Sequence, residues 1–173
     1  MRHVVWPLLA LIVALPQAAR GDAFNELDLL RPSRGAVAAD FTVPGLTGSP
    51  LRLSDLKGKV IFLNFWATWC PPCKEEMPSM ERLYRRYKDK GFTILAVSID
   101  ASGREPVAAF AKKFNLTFSI GLDPKTTVAN QYSVRGLPVT FLIDRRGMIA
   151  AIAIGPRDWD GKAAHAAIES LLR

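Results

Sequence analysis

The apolar residues of this chain fall into three kinds of run, and the difference between them predicts its elements. Val60-Ile61-Phe62-Leu63-Asn64-Phe65-Trp66 and Phe92-Thr93-Ile94-Leu95-Ala96-Val97-Ser98-Ile99 are nearly continuous and rich in β-branched and aromatic residues. Such runs suit strands buried on both faces. Between them, Met77, Met80, Leu83, Tyr84 and Tyr87 recur every three or four residues, which predicts a helix running from about Cys70 to Lys90 and stopped by Gly91. Glu81 and Arg85 stand at i,i+4 on its other face. Further on, Glu105 to Phe114 reads as a second helix, Thr117 to Ile120 as a short strand and Thr126 to Gln131 as a short helix. Val139 to Ile143 and Met148 to Ile154 read as strands joined by the turn Asp144-Arg145-Arg146-Gly147, and Lys162 to Leu172 as a closing helix. Strands alternating with helices, then a hairpin and a last helix, imply an α/β fold around a mixed β-sheet.

Upstream, the pattern weakens. Phe41-Thr42-Val43 and the turn residues after it suggest a strand, turn and strand. Residues 22–38 show little periodicity beyond one helical turn near Phe24 to Leu30, and read as a linker, so that the domain spans 39–173. Residues 1–21 differ in kind: a short basic start, Met1-Arg2-His3, then an unbroken apolar run from Val4 to Leu15, then small residues through Gly21. That order describes a secretory signal peptide. The apolar run falls short of the roughly 20 residues of a comfortable membrane span. An uncleaved N-terminal anchor remains the alternative, since Val4 to Ala19 is apolar apart from Gln17. Either way the domain is expected outside the cytoplasm, in the periplasm, free or tethered.

Composition adds one exclusion. The chain of 173 residues carries a net charge of +7, yet its basic residues are interleaved with acids, as in Lys74-Glu75-Glu76 and Lys88-Asp89-Lys90. Without a basic run or an aromatic–basic ladder, nucleic acid is not an expected partner.

The two cysteines, Cys70 and Cys73, carry the chemistry. A structural staple closing so short a loop gains only about 2 kcal/mol in the chain-entropy model. Zinc wants three or four ligands, and outside the leader the chain offers only His165 in addition, read as a solvated histidine on the last helix. No metal and no cofactor is therefore expected. The third use, reversible dithiol chemistry, fits the context best: the pair follows a buried strand and opens a helix, whose N-terminal N–H groups and dipole favour a thiolate. Cys70 would attack a partner's disulfide and Cys73 would resolve the mixed disulfide.

The longer stretch Phe65-Trp66-Ala67-Thr68-Trp69-Cys70-Pro71-Pro72-Cys73-Lys74 resembles the thioredoxin superfamily, and more closely its TlpA/ResA-like exported branch. Asp40-Phe41, Leu53-Ser54-Asp55-Leu56-Lys57-Gly58-Lys59, Glu76-Met77-Pro78, Gly136-Leu137-Pro138-Val139-Thr140-Phe141-Leu142-Ile143-Asp144 and Asp158-Trp159 match as well. The resemblance implies a thioredoxin-like mixed β-sheet flanked by helices, with an extra helix–strand insertion at about 105–120. It implies a thiol:disulfide oxidoreductase acting as a reductant of protein disulfides, recharged by a membrane thiol electron donor. Its clients would be apocytochrome c, in cytochrome c biogenesis, or copper-delivery proteins. It makes Pro138 a cis-proline opposite the cysteines, with the Leu137 backbone free to pair with a client strand, and Trp69 the aromatic beside the nucleophile. Trp66 is either platform or ordinary core. Pro78 removes a helical bond to the Lys74 carbonyl and should kink the helix.

Two departures stand out. Asn64 occupies the position where cytosolic thioredoxins resemble one another in a buried acid, and it cannot titrate. Glu75 and Glu76, as first-turn acids, read as dipole- and solvent-facing, which leaves the proton acceptor for Cys73 open. Neither Pro71 nor Pro72 can donate an N–H to a Cys70 thiolate, and the milder stabilisation is expected to keep the dithiol reducing. Two other functions fit these residues less well. A peroxiredoxin-type peroxidase resembles a Thr-x-x-Cys pattern, whereas Thr68 stands two before Cys70. A copper metallochaperone would show a C-x-x-x-C-like spacing and a nearby histidine.

Overall fold

The structure is a computed structural model, and it describes residues 22–173. The expected leader or anchor, residues 1–21, lies outside them. Five helices and eight strands follow in the order α1 (Ala23–Glu26), β1 (Ala36–Val37), β2 (Thr42–Pro44), β3 (Pro50–Arg52), β4 (Val60–Trp66), α2 (Pro71–Tyr87), β5 (Phe92–Ser98), α3 (Arg104–Lys113), β6 (Ser119–Leu122), α4 (Thr127–Gln131), β7 (Val139–Ile143), β8 (Met148–Ile154) and α5 (Lys162–Leu172). Short 3₁₀ turns cover Leu53–Leu56 and Lys88–Lys90.

The main sheet has the order β1-β8-β7-β4-β5-β6. β4, β5 and β6 run parallel, while on the other side β7 pairs antiparallel with β4 and β8 antiparallel with β7. Every residue of β4 and of β5 is buried, as the continuous apolar runs require of central strands covered on both faces. Alternation along β4 divides the core. Phe62 and Trp66 join Met77, Met80 and Leu83 of α2 and Ile168 of α5 on one side. Ile61, Leu63 and Phe65 meet Phe141 of β7 and Val128 of α4 on the other. The expected mixed sheet flanked by helices is present, and α3 with β6 forms the extra helix–strand unit, adding a parallel edge strand beside β5. Gly91 ends the α2 segment with φ 86°, a left-handed conformation that a glycine adopts without strain.

Residues 22–38 are not a linker. Phe24, Leu27 and Leu29 are buried in the core on the α5 side, Leu30 bridges to Ile152, and β1 pairs antiparallel with β8. Arg157 secures the segment by donating from its guanidinium to the Leu27 carbonyl at 2.6 Å and to the Asp28 carbonyl at 3.0 Å. The reason for the misreading is physical. Each piece is too short to show a period, and its partners lie more than a hundred residues away in sequence.

His165 also differs from expectation. Its side chain is largely covered, lies tilted against the Tyr87 ring and shares a hydrogen bond of 3.1 Å with Asp160, while Glu169 is taken by the Tyr87 hydroxyl.

Candidate active site

Cys70 is the N-cap of α2, in extended conformation, with Pro71 and Pro72 as the first helical residues. Prolines suit those positions because the N–H groups they lack have no partner inside a helix. The first amide able to reach the Cys70 sulfur is therefore that of Cys73, which donates to it at 3.3 Å. Cys70 and Cys73 are joined as a disulfide with Cα atoms 5.3 Å apart. Their surroundings differ: Cys70 lines a groove of about 450 Å³ shared with Trp69, Pro72, Ile99, Val134 and Leu137, whereas Cys73 has no exposed surface. A partner can thus reach only the first sulfur.

The loop carrying Cys70 is pinned from β5. Asp100, just past the strand and buried, accepts from the backbone N–H of Thr68 at 3.0 Å, from the Thr68 hydroxyl, and from the Ser98 hydroxyl at 2.7 Å. These bonds hold Ala67-Thr68-Trp69 at the strand end and keep Trp69 turned outward, 63% exposed, beside the groove. Trp66 takes the core option left open by its sequence context. It is buried against Phe110, with ring centres 5.0 Å apart, and does not line the groove. The Leu137–Pro138 peptide bond is cis. Leu137 lines the groove and Pro138 leads into β7, its carbonyl accepting from the Gly155 N–H at 2.9 Å. Cys70, Trp69 and Leu137 are thereby gathered on one groove, whose lining includes neither the buried Cys73 nor Pro138.

Glu76 contradicts the solvent-facing reading. It is 2% exposed, on the inner face of α2 one helical turn beyond Cys73, where residues at i and i+3 are neighbours. Its carboxylate accepts from Asn64 Nδ2 at 3.0 Å, Trp159 Nε1 at 3.0 Å and the Arg157 backbone N–H at 3.3 Å. Burial pushes its pKa up to about 7, against the opposing effect of these three donors and the Arg157 charge. One helical turn from Cys73, this carboxyl, raised by burial toward neutrality, is a group able to take up a proton there. One signal did point to it: the stripe Met77, Met80, Leu83 extended back one turn passes through Cys73 and Glu76 alike. Trp159, matched in sequence without a role, is the group that reaches over to hold Glu76.

The chemistry this arrangement supports is exchange between dithiol and disulfide. A tethered pair with one reachable sulfur can form a mixed disulfide and then release it from within.

Comparison with known proteins agrees. The AhpC/TSA family model matches residues 35–152. The chain is 43% identical over 148 residues to the Thiol-disulfide oxidoreductase ResA of Geobacillus kaustophilus, covering 86% of this chain and 83% of that protein. It is 38% identical over 148 residues to the protein of the same name from Bacillus subtilis, covering 86% and 81%. Among solved structures, a Chlorobium tepidum protein assigned as thiol:disulfide interchange protein DsbE superimposes with a TM-score of 0.75 at 38% identity, covering 82% of this chain and 99% of that one. The chain belongs to the AhpC/TSA family and, within the thioredoxin superfamily, to the TlpA/ResA-like thiol:disulfide oxidoreductases.

Proposed function

We propose that this oxidoreductase is an exported reductant of protein disulfides in which Cys70 is the nucleophile and Cys73 the resolving thiol. The observation that carries the assignment is the asymmetry of the pair, one sulfur in the groove and one with no exposed surface. In the reduced enzyme the Cys70 thiolate, aided by the helix N-terminus and the Cys73 N–H, attacks one sulfur of a client disulfide. A Cys70–client bond forms and the other client sulfur leaves with the electron pair. Cys73 then loses its proton to Glu76 and attacks Cys70, closing the Cys70–Cys73 bond and releasing the second client thiolate. Two electrons have passed to the client, and the enzyme is left in the disulfide form.

Trp69 and Leu137 flank the sulfur that a client must reach, and the segment at Leu137-Pro138 offers backbone to an extended client strand. The direction of flow is read from the two prolines, since a thiolate with a single N–H donor is less stabilised than in strongly oxidising relatives of this chemistry. Location in the periplasm, by a cleaved signal or a retained anchor, is supported by the basic, apolar and small-residue order of residues 1–21. A membrane thiol donor would recharge the pair, and thiols of apocytochrome c or of copper-protein assembly factors are the clients proposed from the resemblance.

Reduction of a disulfide-bearing model peptide tests the reading. The Cys70→Ser variant should fall to the uncatalysed rate, and the couple should be more reducing than the model peptide, about 30 mV for each factor of ten in the equilibrium. Turnover that survives Cys70→Ser would remove the enzymatic assignment from this pair.

A further inference from the structure

Asn64 lies on β4 with no exposed surface, and its two amide atoms are treated unequally. Nδ2 donates to Glu76 Oε1 at 3.0 Å and to Thr140 Oγ1 at 2.9 Å. Oδ1 is buried and meets no donor among the described residues. Around Glu76 the opposite holds, for every contact is a donor: Asn64 Nδ2 on Oε1, Trp159 Nε1 and the Arg157 N–H on Oε2. That set suits a carboxylate and conflicts with a carboxylic acid, whose O–H needs an acceptor.

A proton on Oε2 would face an indole and a backbone N–H, neither of which can become an acceptor. On Oε1 it would face the Asn64 NH₂. Of the three partners, only the Asn64 side chain owns an acceptor atom, the orphaned Oδ1, and a half-turn of the amide brings it to the place of Nδ2. Thr140 fits both arrangements, since a hydroxyl can accept from Nδ2 or donate to Oδ1.

We propose that Asn64 is a positioning residue for proton transfer, whose amide turns over each time Glu76 gains or loses the proton. This rests on the reading that Glu76 receives the Cys73 proton. With Glu76 ionised, Nδ2 donates to Glu76 and Thr140. As Cys73 gives up its proton and attacks Cys70, the proton arrives on Oε1 and Oδ1 swings in to accept from both. The proton then leaves and the amide turns back. An exit is at hand, because Glu76 borders a surface cleft of about 400 Å³ together with Glu75, Arg82, Arg157 and Asp158. The groups facing Glu76 are Cys73 on its own helix, Asn64 on β4, and Trp159 and Arg157 from the segment before α5, with Arg82, Glu75 and Asp158 around the cleft. The Arg157 guanidinium is held by the Leu27, Asp28, Ile154 and Pro156 carbonyls. An amide suits position 64 better than a carboxylate would, because a second acid beside Glu76 would titrate against it.

The test is nuclear magnetic resonance on the ¹³C,¹⁵N-labelled protein in its disulfide form, where no thiol titrates. The Glu76 carboxyl carbon and the Asn64 side-chain amide are followed between about pH 5 and 9. Both should shift with one common midpoint. In Glu76→Gln, where an N–H replaces the acid's O–H, the Asn64 signals should stay at the wild-type acidic limit at every pH. A Glu76 carbon that titrates while the Asn64 amide stays fixed overturns the proposal, as does a Glu76 carbon with no titration in that range. If the amide follows Glu76 but Glu76→Gln reduces the model peptide at the wild-type rate, the turnover of the amide stands and the proton-acceptor reading of Glu76 falls.

Discussion

At the scale of single residues, the burial of Glu76 ties the stability of the fold to pH. Its pKa rises from 4.5 to about 7 because the folded chain removes it from water. Below pH 4.5 the group is protonated whether the chain is folded or not, and its effect on folding is fully favourable there. Between pH 4.5 and about 7 the native state keeps the proton and the unfolded chain releases it, so stability falls as pH rises. The total is on the order of 3 kcal/mol at 1.36 kcal/mol per pKa unit. Denaturant unfolding of the oxidised protein at several pH values should therefore show wild type losing ground to Glu76→Gln as pH rises through this window. A difference between the two that does not vary with pH would mean that Glu76 titrates alike in both states. Cys70 and Cys73 were plain in the sequence because their spacing is itself the signal. Glu76 was only partly legible: it falls on the apolar stripe of α2, but Trp159 and Arg157, which hold it, arrive from a segment more than eighty residues away.

At the scale of elements, two features set the site. One is the junction of β4 and α2, where a strand buried on both faces ends in a loop tied to Asp100, and Cys70 caps the helix that follows. This unit was legible, because the continuous apolar run, the prolines and the three-and-four periodicity all lie within thirty residues. Pro78 does not end α2, which continues unbroken to Tyr87. The second feature is the segment 22–38, whose anchoring residues were not legible. Phe24 is 8% exposed, and an Arg31 guanidinium lies over its ring at 5.1 Å. Phe24→Ala should cost about 3 kcal/mol, in the range for a large aromatic side chain removed from a core. Leu30→Ala, at a position 54% exposed, should cost far less. Chemical denaturation of the two variants checks this; equal and small losses would return the segment to the status of a linker.

At the scale of the whole molecule, the sheet separates two tasks. Its interior holds Cys73 and the Glu76–Asn64–Thr140 cluster away from water, while Cys70, Trp69 and Leu137 line one groove at the surface. The mixed sheet followed from the order of apolar runs. Which residues would face one another across the groove did not, because that depends on how far each strand extends before its loop. In the proposed cycle electrons pass through Cys70 first. Its most direct test is to mix Cys73→Ala and Cys70→Ala, each reduced, with an excess of a disulfide-bearing peptide and to locate the adduct by mass spectrometry of the digested protein. A stable mixed disulfide is expected on Cys70 in Cys73→Ala and none on Cys73 in Cys70→Ala. An adduct that forms on Cys73, or on neither cysteine, would contradict it.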